Sequence, residues 1–223
     1  MKTILRLGGL LACILCLPIT AYSQGHPSDG LYIGLDGSYD KTTETSTLIP
    51  GAEGANLLVI PSPAIYDLNG IAAGIFVGYR QSSGRFTVAV EARYGYGFAS
   101  NDAGNDSFKI TGEYGASVLP GFWISDEIAI YGRLGFSQLS LSRTYQTIIH
   151  RNTDSGLHYG GGIQIFATDM ISIRADYTRA TYNHNMRLNV TIDPGQLTQR
   201  TVSIPFFSNL KRDRFQVSLI SKF

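Results

Sequence analysis

The sequence predicts an all-β protein: an eight-stranded, antiparallel, up-and-down transmembrane β-barrel. Three observations carry that expectation. Hydrophobicity alternates with period two in segment after segment. The polar parity of those segments is loaded with glycine and with charges of both signs. After the first two dozen residues, no run is apolar and long enough for a membrane helix, so a membrane-spanning form must be a closed barrel.

The chain of 223 residues opens with a segment read as an export signal. Lys2 and Arg6 give a basic start, Leu7 to Ile19 an apolar stretch, and Ala21-Tyr22-Ser23 a small-residue cleavage site. Residues 1–23 are therefore expected to leave as a signal peptide, and 24–223 to form the barrel domain. Cys13 and Cys16 both fall in the apolar stretch. Lipid attachment at Cys13 would leave Ile14, Leu15 and Leu17 at the new terminus, so both read as hydrophobic filler removed with the signal. The mature chain then has no cysteine and places no disulfide demand on an oxidising compartment.

The whole chain carries 18 Lys+Arg against 17 Asp+Glu. Without Lys2 and Arg6 the balance is slightly negative, which argues against nucleic acid as a partner. Charged residues make up 16% of the chain, below the roughly 25% usual in soluble domains.

The clearest strand is Phe86 to Phe98. Phe86, Val88, Val90, Ala92, Tyr94, Tyr96 and Phe98 fall on one face; Thr87, Ala89, Glu91, Arg93, Gly95 and Gly97 fall on the other. Similar alternation starts at Leu31, Ile71, Phe108, Ile128, Leu157, Ile171 and Phe215. The connections alternate too. Gln81 to Gly84, Ser125-Asp126 and Thr168-Asp169 are short. The stretches Thr45 to Asn69, Ser100 to Asp106, Thr144 to Ser155 and Thr181 to Asn209 are long. Such asymmetry is that of an outer-membrane barrel with both termini on the short-turn, periplasmic side. Leu139 and Leu141 fall on the opposite parity from the residues before them, which reads as a bulge or as a strand leaving the bilayer.

Glycine on the polar parity suits a crowded narrow lumen, and tyrosine and phenylalanine near the ends of the apolar parity suit interfacial girdles. The apolar face is thus expected to meet lipid. The polar face would place Asp36, Arg80, Glu91, Arg93, Lys109, Glu113, Arg133, Arg174, Asp176 and Arg214 in the lumen. A lone charge there costs several kcal/mol, so each needs a partner, and these residues are expected to form an ion-pair network that plugs the barrel.

The stretch from Tyr159 to Tyr177 has a glycine-rich strand, a Thr-Asp turn and an Arg-x-Asp-Tyr strand. It resembles the penultimate hairpin of small OmpA/OmpX-like and opacity-type outer-membrane barrels. The final Phe215-Gln-Val-Ser-Leu-Ile-Ser-Lys-Phe223 is similar to that family's C-terminal strand, Ser221 standing where the family has a larger apolar residue. The resemblance implies an outer-membrane location and a monomer in outer-membrane lipid. It also implies an assembly signal in Phe215, Val217, Leu219 and Phe223, read by the outer-membrane assembly machinery.

No catalytic, metal or cofactor site is expected: no G-x-S-x-G occurs, and no histidine pair has metal-ligand spacing. His158 with Ser137 or Ser140 would be the arrangement a lipid A-modifying enzyme needs; His150 and His184 also lie near the long connections. The favoured reading is a structural and surface-interaction role, in adhesion or envelope integrity. Host or envelope proteins would meet the long loops, where Leu57 to Pro61 and Val202 to Phe207 are apolar. The alternative is a low-conductance porin for small solutes.

Overall fold

The structure, a computed structural model, describes residues 26–48, 64–98, 100–103, 106–145, 148–192 and 200–223. The expected signal peptide and the apolar stretch Leu57 to Pro61 lie outside the described residues.

The strands are β1 (Gly30–Leu48), β2 (Ala64–Ser83), β3 (Phe86–Gly97), β4 (Ser100–Ala103), β5 (Asp106–Ser125), β6 (Ile128–Tyr145), β7 (Ile148–Phe166), β8 (Ile171–Ile192) and β9 (Arg200–Lys222). Each pairs antiparallel with its chain neighbour, except that β3 passes over β4 to pair with β5, and β1 pairs with β9, from Tyr32↔Lys222 to Leu48↔Phe206. β3 and β4 both lie along β5, so together they make one stave of a closed eight-stranded barrel. Closure removes the free edges that an open sheet would expose.

Turn chemistry fits the short-turn end. Gly84 has φ 59°, a left-handed position that glycine adopts without Cβ strain, and it links β2 to β3. The N-terminal residues His26 to Asp29 and the C-terminal Phe223 sit at this same end: Lys222 N–H donates to Met170 O and Phe223 N–H to Leu31 O.

Exposure follows parity around the wall. Leu31, Val88, Leu134, Leu157, Ile173 and Val217 are exposed; Tyr32, Glu91, Arg133, Gln164, Arg174 and Ser218 are buried. The apolar face is the outer one, as the glycine and girdle arguments required.

Three expectations are corrected. The parity break does not lie in β6, whose Leu139 is fully buried on the same parity as Arg133 and Ser137. The extra residue is Thr111 of β5, between Ile110↔Leu141 and Gly112↔Ser140. That bulge turns Ile110 inward, not out to lipid. The connections Thr144 to Ser155 and Thr181 to Asn209 are mostly strand: β7 begins at Ile148, and β8 and β9 stay paired to Ile192↔Arg200. Val202 to Phe207 lies inside β9.

Two apolar layers cross the lumen. Tyr32, Phe76, Ala89, Leu119, Tyr131 and Ile220 form one, nearer the termini. Leu68, Ile110, Leu139, Ala180, Tyr182 and Leu210 form the other, toward the far end.

Candidate functional site: the charged lumen

The lumenal charges fall into two clusters. The cluster nearer the termini joins Arg133 and Arg174 to Glu91 and Asp176. Arg174 pairs with Glu91 through Nη1, and its Nη2 donates to Glu91 Oε2 at 3.2 Å. Arg174 Nε lies 3.2 Å from Asp176 Oδ2, and Arg133 Nη2 lies 2.9 Å from Glu91 Oε2. Aromatic side chains surround it. Tyr32 OH donates to Glu91 Oε1 at 2.8 Å, Tyr131 OH donates to Asp176, and the Arg174 guanidinium lies 4.5 Å from the centre of the Phe76 ring.

The second cluster joins Arg93, Arg212 and Arg214 to Asp36, Asp40 and Glu113. Arg93 Nη2 donates to Asp36 at 2.6 Å, and Nε at 2.9 Å. Arg214 donates to both oxygens of Asp40 at 2.7 Å. Glu113 is the hub: Arg93 lies 3.2 Å away, Arg214 2.7 Å away, and Arg212 also pairs with it. Fork-to-fork geometry of this kind gives the strongest charge-assisted hydrogen bonds. A cavity of about 30 Å³ adjoins Arg93, Glu113, Arg133, His158, Arg212 and Arg214. It has room for roughly two water molecules.

Most of the expected lumenal set is thus brought together. Two members stand apart. The side chain of Lys109 lies outside the described residues. Arg80 is buried but makes no ion pair among the described residues. Its Nη2 donates to Gln164, and its guanidinium lies 5.6, 5.8 and 5.1 Å from the ring centres of Tyr32, Trp123 and Phe166. Aromatic faces, not a carboxylate, hold this cation.

Asp40 and Arg212 are members that the sequence reading left out. Each continues a lumenal parity it had recognised, Asp40 two residues past Ser38 and Arg212 two before Arg214. Extending each strand by one polar step would have found them. The hydroxyls of Tyr32, Tyr131 and Tyr182 were missed for another reason. A tyrosine on the lumenal parity looks apolar in a pattern, yet its OH satisfies a buried carboxylate.

The short-turn mouth is closed by the N-terminal segment. His26 stacks on Trp123 with centroids 3.7 Å apart and planes at 14°, and Trp123 packs on Phe166 at 4.9 Å. Trp123 Nε1 donates to Ser82 Oγ at 3.1 Å, and Ser82 donates to Asp29 at 2.6 and 2.9 Å. His26 lies before β1, outside the membrane-spanning strands. Burial lowers its pKa below the usual 6.5, outweighing the upward pull of Asp29 and Asp126.

His158 hydrogen-bonds Ser117 at 2.9 Å inside the lumen, while Ser137 bonds Tyr182 OH at 2.9 Å. The His158–Ser137 pair that hydrolysis would need is not formed. The side chains of His150 and His184 lie outside the described residues. Phe215, Val217, Leu219 and Phe223 all face outward and are exposed.

Residues 9–223 match the outer membrane protein β-barrel domain. The chain belongs to that family. An outer-membrane location follows from membership. No curated protein matches the chain. Among solved structures it is similar to Neisserial surface protein A, at 15% identity over 87% of this chain and 98% of that one, with a TM-score of 0.51. It is similar also to OprG from Pseudomonas aeruginosa, at 11% identity over 90% of this chain and 99% of that one, again with a TM-score of 0.51. At these identities the likeness is one of fold: a small outer-membrane barrel closed by antiparallel strands.

Proposed function

We propose that this outer-membrane barrel is a non-conducting anchor, a monomer whose long strand extensions meet a host or envelope protein while its termini lie in the periplasm. The observation that carries the reading is the filled lumen. From the termini outward it holds the His26–Trp123–Phe166 stack, an aromatic layer, two charge clusters and a second apolar layer. An eight-stranded barrel is just wide enough for side chains to fill. Investment in the opposite end supports a contact role. β8 and β9 have 22 and 23 residues, against 12 in β3, and beyond Phe206 they pair only with each other among the described residues. Pro205 within that ribbon lacks an N–H, which discourages edge-to-edge pairing. Outward-facing Phe215, Val217, Leu219 and Phe223 serve in this reading as the strand that the assembly machinery takes up.

The test has two arms. In planar bilayers the purified protein is expected to give no steps above baseline. Deleting residues 52–63 is expected to reduce adhesion of expressing cells. Steady conductance, changed by Glu91→Gln or Arg93→Gln, together with unaltered adhesion, would favour a small-solute pore. The cavity beside Glu113 is the observation behind that second reading.

A further inference from the structure

Among the described side chains, the outward wall carries few charges, and those few are gathered. Among strand residues with described side chains, the outward-facing charged ones are Lys41, Asp67, Arg179, Lys211 and Asp213. Three of these are cations, on the adjacent strands β1, β8 and β9. Register places them together. Lys41 and Arg179 are both paired across from Asp213, and Lys211 stands two residues further along β9, between Thr43 and Thr181. Neighbouring strands are about 4.8 Å apart, so Lys41 and Arg179 flank β9 at about 10 Å between backbones.

Their height on the wall is fixed by the row beneath. Tyr39, Phe215 and Tyr177 are mutual register partners on the same three strands, two residues nearer the termini, and all are exposed. Below them the wall is apolar: Val217 between Gly37 and Ala175, then Leu35, Leu219 and Ile173. A lipid-facing Lys or Arg is costly at the midplane and nearly free at the interface. Aromatic residues mark that interface. The three cations therefore stand at headgroup level, just past the aromatic row.

The described outward-facing carboxylates offset only part of this positive charge. Asp213 is committed to Arg179, at 2.8 and 3.1 Å, and to Tyr177 OH at 2.6 Å. Asp67, on the next strand, accepts from Thr43 Oγ1 at 2.8 Å. Asp213 thus braces Arg179, and three cations against two carboxylates leave the patch net positive, with Lys41 and Lys211 exposed beside Arg179 on a lipid-facing surface.

We propose that Lys41, Arg179 and Lys211 form a binding patch for the phosphate of an anionic membrane lipid, seated on the outer wall of β8, β9 and β1 with its acyl chains against the apolar wall below. A lipid phosphate fits better than a soluble anion because the apolar wall runs directly into the patch. The patch does not depend on any role of the long hairpins in adhesion.

The full-length protein folded in phosphatidylcholine vesicles would be titrated with spin-labelled phosphatidic acid and spin-labelled phosphatidylcholine. The expected result is selective motional restriction of the phosphatidic acid. The triple variant Lys41→Gln, Arg179→Gln, Lys211→Gln should lose that selectivity, by roughly fivefold for each cation removed. Heat-modifiable gel mobility checks that the variant is folded. Arg85→Gln, an exposed cation in the β2–β3 turn at the opposite end, should leave the selectivity intact. Equal association of both lipids with the wild type overturns the proposal, as does an equal effect of Arg85→Gln. Loss of the selectivity on adding inorganic phosphate at constant ionic strength would assign the patch to the free ion and overturn it too.

Discussion

The two lumenal charge clusters answer the same problem in different ways. Near the termini, two arginines meet two carboxylates in a dry aromatic setting. The side chains of Arg174, Glu91, Asp176 and Arg133 are 0, 1, 1 and 5% exposed. Further along, three arginines meet three carboxylates beside a cavity that admits water. There Arg93, Glu113 and Arg214 are 10, 9 and 7% exposed. Each cluster is neutral by itself. The comparison teaches that each cluster carries its own counter-charges, because a buried charge with no partner in hydrogen-bond reach keeps its full desolvation cost. It also separates rigidity from tolerance. Among the described residues, Glu91 and Asp176 of the dry cluster are partnered only by its two arginines and the tyrosines, with Arg133 alone reaching Ser117 and the cavity, whereas in the wet cluster water can replace a lost partner.

The largest expected effect is at the dry cluster. Arg174→Met removes the bidentate partner of Glu91 and the Nε contact to Asp176, leaving Arg133 as the one described cation for two carboxylates, beside the hydroxyls of Tyr32 and Tyr131. Breaking a buried pair this way should cost about 3–5 kcal/mol, measured as a shift in the urea midpoint of the barrel in vesicles. Glu113→Gln takes the hub from three arginines, yet the adjoining cavity lets water reach the freed donors. A smaller cost of about 1–3 kcal/mol is expected. If Glu113→Gln proves as damaging as Arg174→Met, the distinction between dry and wet clusters fails.

Arg80 supplies the control within the dry region. It is as deeply buried as its neighbours but strands no carboxylate when removed. Arg80→Met keeps most of the side-chain volume, loses the contacts to three rings and frees Gln164, which also donates to Ser172 at 2.6 Å. A change of about 1 kcal/mol or less is expected in the same unfolding measurement. A loss matching that of Arg174→Met would mean that burial of the guanidinium, not its ion pairing, sets the cost.

Much of this was legible in the sequence because a barrel strand has period two and cannot slip by one residue without turning itself inside out. Parity alone put Glu91, Arg93, Arg133, Arg174 and Asp176 in the lumen. It could not say who pairs with whom, since Glu91 and Arg174 are 83 residues apart and meet only through closure and stagger. It misplaced Ile110, because a single extra residue at Thr111 leaves no mark in composition. It shortened β8 and β9, because the alternation weakens through Asn183-His-Asn185 although the backbone pairing continues. Arg80 was expected to find a carboxylate. The rings that hold it come from β1, β5 and β7, a convergence that no local pattern encodes.

The smallest effect concerns the seal beneath the dry cluster. His26 lies over Trp123, and around it are Ser28, Asp29, Asp126, Phe166 and Arg80. Because burial lowers the folded pKa of His26 below 6.5, the folded state binds this proton more weakly than the unfolded chain does. The neutral form is the one that fits the stack. Its contribution is therefore complete above pH 6.5 and is lost as the pH falls below that value toward the folded pKa. Protonation favours a more solvated imidazole and loosens the segment that covers the mouth. Trp123 is the only tryptophan in the chain, so tryptophan emission reports on the surroundings of this one ring, His26 among them. On acidification from neutral pH the emission should change with a midpoint below 6.5, and His26→Gln should flatten the curve. An acid transition that persists in His26→Gln would place the sensitivity deeper, in the ion pairs, and would mean that the dry cluster is less well sealed from the end that carries the termini than its exposure indicates.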